Sequence, residues 1–302
     1  MKQLSIFVLL AFYFLSVRLD AQVLEMTPDQ ISQARVKSTI ISAVQLDAEA
    51  EQVKREAYTF DRAGYLVGRI TYNADNTPGT SAIFRYDAHG NRIFHEITIH
   101  PEHLTPNVSY HYLYENGRIM KEENNNTSLA RHFFYDEYGR SIREELRDGR
   151  DHVAEAVSYT YDDEGNLITE TLDQEFIRRR TTYQYDQEGN LIEKKKISHY
   201  SFEAARSTHS CERYVYDIEG KMMHLIRLDA AGKVLGSLNF MYDTNGRLSS
   251  KSGGKVVYFY TYDDKDMLIS RRKLVAGKMV EEVSYEYRYY DPMQESKVAS
   301  QK

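Results

Sequence analysis

Short runs of alternating apolar and polar residues fill most of this chain, and a turn signal interrupts them at recurring intervals. Tyr159-Thr160-Tyr161-Asp162-Asp163-Glu164-Gly165-Asn166-Leu167-Ile168 is matched by Tyr183-Gln184-Tyr185-Asp186-Gln187-Glu188-Gly189-Asn190-Leu191-Ile192. The pattern aromatic-x-Tyr-Asp-x-x-Gly-polar-apolar-apolar returns at Phe84, Phe133, Tyr214 and Phe240. Weaker copies start at Tyr58, Tyr112, Tyr260 and Tyr285. Alternation of this kind predicts half-buried strands. Self-similarity at this spacing marks a repeat architecture in which each unit is one supersecondary element.

The turn chemistry is explicit in the residues. Aspartate at the first position and glycine at the fourth suit a type I turn, because the carboxylate accepts from nearby turn amides and glycine tolerates the left-handed conformation. The structural repeat positions are Tyr86, Asp87 and Gly90, then Tyr135, Asp136 and Gly139, then Tyr161, Asp162 and Gly165. They continue with Tyr185, Asp186 and Gly189, with Tyr216, Asp217 and Gly220, and with Tyr242, Asp243 and Gly246. At Asp263 to Asp266 the glycine is replaced by Asp266, a residue type that also visits the left-handed region. With Asp162 opposite Asn166, a regular hairpin sets Tyr161 against Leu167, Thr160 against Ile168 and Tyr159 against Thr169. Tyr159, Tyr161 and Leu167 then share one face, and a slip of one residue would exchange the faces.

Each repeat therefore supplies two strands, and the expected fold class is all-β: a curled antiparallel meander of consecutive β-hairpins forming a sheet or partial shell. Curling is expected because so many strands rarely stay in one open sheet. The Asp-x-x-Gly turns should line one edge, and the more variable turns near Asp148 and Ala276 the other. Outside the repeats, Thr27 reads as the cap of a short helix with Pro28 in its first turn. Val36 to Leu46 reads as a strand that closes the first edge. The expected division is a signal peptide over 1–21, an N-terminal cap segment over 22–57, the repeat β domain over 58–291 and a polar tail over 292–302.

Composition narrows the class. Lys2 precedes an apolar run from Leu4 to Val17, and Ala21 offers a small residue for cleavage. That pattern predicts an exported chain, periplasmic, secreted or surface-associated, cleaved after Ala21 and without a membrane span thereafter. The formal net charge of −6 over 302 residues argues against a dedicated nucleic-acid binder. The single cysteine, Cys211, allows no intramolecular disulfide, so hydrogen-bonded strands and packed tyrosines must hold the fold.

The units Tyr86-Asp87-Ala88-His89-Gly90-Asn91, Tyr135-Asp136-Glu137-Tyr138-Gly139-Arg140 and Tyr242-Asp243-Thr244-Asn245-Gly246-Arg247-Leu248, with the two copies quoted first, resemble the YD repeats of bacterial RHS and teneurin-type proteins. The resemblance covers roughly Tyr58 to Asp291. It implies strands that spiral into a shell and repeats that bind carbohydrate or encase a toxin. Arg288-Tyr289-Tyr290-Asp291-Pro292 is similar to the sequence near the end of such arrays, but only ten residues follow it, so no toxin domain is expected.

Two basic runs stand out as candidate binding residues. In a regular hairpin, Arg178, Arg179 and Arg180 would lie beside Lys194, Lys195 and Lys196, and an acidic glycan or a lipid headgroup would relieve their repulsion. The same charges also read as a solvated face neutralised by Glu170, Glu175 and Glu193. His100 and His103 mark a loop insert, as does the stretch from Tyr200 to Ser210, and inserts of this kind often carry recognition. No metal or cofactor is expected: turn capping already accounts for the repeated aspartates, and no zinc-binding spacing occurs. His209 and Cys211 lack a third orienting group. The expected function is thus non-catalytic: an exported scaffold that binds envelope or extracellular polysaccharide or a surface protein. The alternatives are assembly by β-edge pairing and, less favoured, a glycoside-active enzyme.

Overall fold

The computed structural model describes residues 27–46, 52–100, 107–201 and 206–291. The expected signal peptide, His103 and the tail over 292–302 lie outside the described residues. Among the described residues one short helix, α1 (Pro28–Gln33), precedes twenty strands. These are β1 (Val36–Gln45), β2 (Gln52–Phe60), β3 (Leu66–Tyr72), β4 (Pro78–Tyr86), β5 (Arg92–Ile99), β6 (Val108–Glu115), β7 (Arg118–Asn124), β8 (Ala130–Tyr135), β9 (Ser141–Arg147) and β10 (Val153–Tyr161). The second half comprises β11 (Leu167–Gln174), β12 (Ile177–Tyr185), β13 (Leu191–Tyr200), β14 (Arg206–Tyr216), β15 (Met222–Leu228), β16 (Val234–Tyr242), β17 (Leu248–Gly253), β18 (Val256–Tyr262), β19 (Leu268–Val275) and β20 (Lys278–Tyr289).

Each strand pairs antiparallel with the next, and β1 pairs with both β2 and β20. Ile41, for example, stands opposite Glu56 on one side and Tyr285 on the other. The meander therefore closes into a barrel, a step beyond the curled sheet expected. Closure removes free strand edges, which otherwise template aggregation. Twenty strands spaced about 4.8 Å apart and tilted in the usual range give a circular cross-section on the order of 40 Å across the backbone. A ring of that width is too wide for its own side chains to fill, as in other barrels of sixteen or more strands, so the wall encloses a lumen.

The Asp-x-x-Gly turns form as their chemistry requires. The Asp162 amide donates to the Asn166 carbonyl (3.0 Å) and the Gly165 amide to the Asp162 carbonyl (3.1 Å). The Asp162 carboxylate accepts from the Asn166 amide at 2.7 Å and from its side chain at 3.1 Å. Gly165 has φ +89°, and Asp266 takes the same place with φ +61°.

The register differs from a regular hairpin in one consistent way. Tyr161 does stand opposite Leu167, but Thr160 then faces Thr169 and Tyr159 faces Glu170, with Ile168 left over as a bulge. The same shift follows Tyr86, Tyr135, Tyr185, Tyr216, Tyr242 and Tyr262. A bulge after each turn sharpens the local right-handed twist, as a closing wall requires. Tyr159 and Tyr161 are still part-buried on one face, while Thr160 and Ile168 are exposed on the other.

Side chains converge on the concave side of a closed sheet, so the more buried tyrosine face lines the lumen. Its best-packed region lies at the closing seam. There Ile31 of α1 joins Val36, Ile41, Tyr58, Phe60, Met267, Leu268, Val283 and Tyr285. Thr27 caps α1 through a reciprocal pair of hydrogen bonds with Gln30. The helix seats directly on the Asp61–Gly64 turn, where Ser32 donates to the Arg62 carbonyl at 2.9 Å.

Candidate functional site

Two rows of side chains pave the inner wall. In the first, each motif tyrosine donates its hydroxyl to a carbonyl of the preceding repeat. Tyr86 reaches Leu66 (2.9 Å), Tyr135 reaches Ile119 (2.8 Å), Tyr161 reaches Ser141 (2.7 Å) and Tyr185 reaches Leu167 (3.0 Å). Tyr216, Tyr242, Tyr262 and Tyr287 continue the series to Leu191, Met222, Leu248 and Leu268. Tyr290 closes it on Phe60 at 2.7 Å. Desolvation pushes the Tyr86 phenol up to a pKa of about 12. The repeated tyrosine is therefore first a tether between repeats.

The second row pairs the other motif aromatic with the residue five after the turn glycine, a register the bulge creates. Tyr58 faces Arg69, Phe84 faces His95, Tyr112 faces Glu122, Phe133 faces Glu144, Tyr159 faces Glu170 and Tyr183 faces Lys194. Tyr159 donates to Glu144 at 2.9 Å, Tyr183 to Glu170 at 3.4 Å and Tyr214 to Glu212 at 3.0 Å. Arg131 bridges Glu155 at 3.0 Å and Glu144 at 3.5 Å. Of this charged lining, the sequence singled out only Lys194, as a candidate binding residue, and Glu170, as a neutralising charge. The signal was present at the fifth position after each glycine, but it is readable only once the bulge is known.

His95 is the most enclosed polar group of that row, 2% exposed. Its ring stacks on Tyr110 at 4.3 Å, and its Nδ1 pairs with the Tyr112 hydroxyl at 2.7 Å. Nε2 is buried without a hydrogen-bond partner. Desolvation first, and the Arg92 charge second, pull its pKa down to about 3. His111 stands opposite Phe94 on the other face, so these two histidines do not converge. His100 pairs its Nε2 with the Ser81 hydroxyl at 3.0 Å. Among the described residues, no group of three or more histidine, cysteine, aspartate or glutamate side chains is arranged to hold a metal ion.

The bulge at Ile192 also corrects the expected basic surface. Lys194 faces Tyr183, Lys195 faces Thr182 and Lys196 faces Thr181, while Arg178, Arg179 and Arg180 face His199, Ser198 and Ile197. The two triplets are offset along the strands and split between the faces. Arg178, Arg180 and Lys195 lie outside; Arg179, Lys194 and Lys196 lie on the lumen side. Outside, Arg178 pairs with Asp173 at 3.1 Å and Lys195 with Glu193 at 2.5 Å. Glu193 also takes Arg213 at 3.0 Å and the Cys211 thiol at 3.7 Å. Burial, then the Glu193 charge, push that thiol above its ordinary pKa, the reverse of what a nucleophilic thiolate needs.

A groove of about 570 Å³ opens at the variable-turn rim, across β9 to β13. Arg143, Ala156, Asp173, Arg178 and His199 line it from the outer face, and Phe176 and Tyr200 close it at the rim. Phe176 is 43% exposed. An aromatic pair beside two guanidiniums, a carboxylate and an imidazole offers a stacking platform together with donors and acceptors. Of the sequence candidates, only Arg178 enters this groove, and the insert contributes Tyr200 and Ser201.

No family model matches the chain, and no curated protein matches it. Solved structures with a similar course of chain include a crystal structure of TcdB2-TccC3-Cdc42, at 16% identity over 78% of this chain and 15% of that one, with a TM-score of 0.44. The Photorhabdus luminescens Tc holotoxin pore follows at 16% identity, 78% and 14% coverage and a TM-score of 0.42. A porin-like protein from Bacteroides uniformis has 9% identity, 84% and 98% coverage and a TM-score of 0.37. The chain thus spans about 15% of the length of the toxin chains it resembles.

Proposed function

We propose that this protein is an exported, non-catalytic β-barrel scaffold that binds envelope or extracellular carbohydrate in the groove at its variable-turn rim. The groove carries the reading: Phe176 and Tyr200 can stack on sugar faces while Arg143, Asp173, Arg178 and His199 meet hydroxyl and acidic groups. The outer wall carries Arg178, Arg180, Lys195 and Arg213 in an exposed or half-exposed state. Such charges are costly against lipid, which favours a wall bathed in water. Export rests on Lys2 and the apolar run to Val17. Glycan-array and envelope-polysaccharide retention by the full chain, repeated with Phe176→Ala and Tyr200→Ala, tests the reading. Retention that drops at least tenfold in both variants supports it. Retention indifferent to both removes the groove from consideration.

A surface-protein partner is favoured by a different observation. Leu113, Leu235 and Met241 are 61%, 67% and 62% exposed on the outside of the barrel, and apolar exposure of that kind marks contact surfaces. Assembly by β-edge pairing loses its physical basis, because β1 occupies both edges that an open meander would have offered.

A further inference from the structure

We propose that the rim of Asp-x-x-Gly turns holds a docking site for a basic segment of a partner protein, whose arginine or lysine side chains lie over the Tyr185 and Tyr216 rings. The repeats themselves show what fits there. Where the residue after the turn glycine is cationic, its head lies over the motif tyrosine of the next repeat. Arg118 lies 5.8 Å from the Tyr135 centroid, Arg140 4.8 Å from Tyr161, Lys221 5.9 Å from Tyr242 and Arg247 4.8 Å from Tyr262. The face of an aromatic ring is electrostatically negative, which is why a cation settles on it. Arg140 and Arg247 also pair with the carboxylates of their own turns, Asp136 at 2.6 Å and Asp243 at 2.7 Å.

Three turns carry asparagine at that position. Asn91, Asn166 and Asn190 are too short to reach the next ring and donate back to Asp87, Asp162 and Asp186. Among the described residues, no cation then lies over Tyr114, Tyr185 or Tyr216. Space follows the same rule. A Cβ at Gly139 would lie 2.1 Å from the Arg118 guanidinium, and one at Gly246 3.3 Å from the Lys221 ammonium. At Gly189 it would meet nothing within 4 Å, and at Gly220 only the Asn190 side chain at 3.8 Å.

Charge selects two of the three rings. Tyr185 and Tyr216 end β12 and β14 in consecutive repeats, about 10 Å apart at strand spacing. The turns around them expose Asp163, Glu164 and Glu188, and none of these makes an ion pair among the described residues. Burial first, and then the Asp162 and Asp186 charges, raise the pKa of Tyr185 and Tyr216. At Tyr161 and Tyr242 the Arg140 and Lys221 charges oppose the corresponding rise. Beside Tyr114, in contrast, Arg92 already covers Tyr112 at 4.9 Å, and the turn offers Ala88 and His89 in place of acids. Two ring faces flanked by unpaired carboxylates fit a segment with two cations at matching separation. A neutral sugar would stack on the rings but gain nothing from the carboxylates. The site lies at the opposite rim from the groove and does not rest on it.

Anisotropy of a fluorescein-labelled tetra-arginine peptide with the full chain, in about 0.15 M salt, measures the docking. Asn166→Arg/Asn190→Arg supplies the chain's own cations in the arrangement of Arg140 and Arg247, and should weaken the peptide at least tenfold. Gln187→Arg/Ile218→Arg adds the same two charges at exposed turn positions and should weaken it less than threefold. Arg140→Asn, which copies Asn166 one repeat earlier and uncovers Tyr161, should tighten it at least twofold. Equal loss from the two double variants, no binding by the wild type, or displacement of the peptide by neutral dextran would overturn the proposal.

Discussion

Replacing His95 by phenylalanine should remove a defined part of the protein's acid sensitivity. The side chain is enclosed by Phe84, Tyr110 and Tyr112, and its pKa falls from 6.5 to about 3. In the unfolded chain the imidazole titrates normally. Between pH 6.5 and about 3 the unfolded state therefore binds a proton that the folded state refuses. Folding stability is undiminished above pH 6.5 and falls as pH drops below it, by about 1.4 kcal/mol per pH unit, reaching about 5 kcal/mol at the lower limit. From pH 7 to pH 5 the loss assignable to this group is about 2 kcal/mol. Phenylalanine keeps the stack and cannot titrate, although the Tyr112 hydroxyl loses its hydrogen-bond partner, which costs about 1 kcal/mol at every pH. Urea unfolding followed by tyrosine fluorescence at pH 7, 6 and 5 measures the difference. His95→Phe should begin less stable and lose about 2 kcal/mol less on acidification. Parallel pH profiles for wild type and variant would refute the burial argument.

Two further outcomes follow from the repeat geometry. Tyr185→Phe removes one tether, the hydroxyl to the Leu167 carbonyl at 3.0 Å, and should lower unfolding stability by about 1 kcal/mol with the barrel intact; no change in the urea midpoint would show the tether to be idle. Gly64→Ala and Gly189→Ala place alanine at nearly equal φ, +86° and +83°, but a Cβ at Gly64 would lie 1.9 Å from the Pro28 carbonyl oxygen, while Gly189 has open space. Gly189→Ala should cost about 1–2 kcal/mol. Gly64→Ala should cost more and speed hydrogen exchange in α1, and equal midpoints without that change would contradict the seating of α1 on this turn.

Much of the wall was legible in the sequence because local chemistry sets it. Aspartate, glycine and an aromatic two residues before the motif tyrosine dictate each turn and its facing, and Thr27 with Pro28 dictates the start of α1. What was not legible depends on distance or on one extra residue. The bulge at Ile168 or Ile192 leaves the alternation of apolar and polar residues almost unchanged, yet it moves every downstream partner by one position. That shift is why Lys194 meets Tyr183 and why the basic triplets divide between the faces. Closure joins Ile41 to Tyr285 through strands that carry no mark of their partner. The groove draws on Arg143, Phe176 and Tyr200 from separate hairpins, and no spacing in the chain announces their meeting. Only the register shows His95 turning away from His111.

The closed ring is the claim on which the lumen and its two inner rows depend, and the seam between β1 and β20 tests it most directly. Ser42 and Ser284 are paired across that seam, and the Ser284 hydroxyl reaches toward the Ser42 carbonyl at 3.5 Å. Ser42→Cys and Ser284→Cys, combined in a Cys211→Ser background, place two thiols within disulfide reach although 242 residues separate them in sequence. Mild oxidation of the dilute protein, followed by non-reducing electrophoresis and peptide mass spectrometry, should show a nearly complete intramolecular disulfide. Free thiols, or disulfides only between molecules, would show that the meander remains open and would contradict the account.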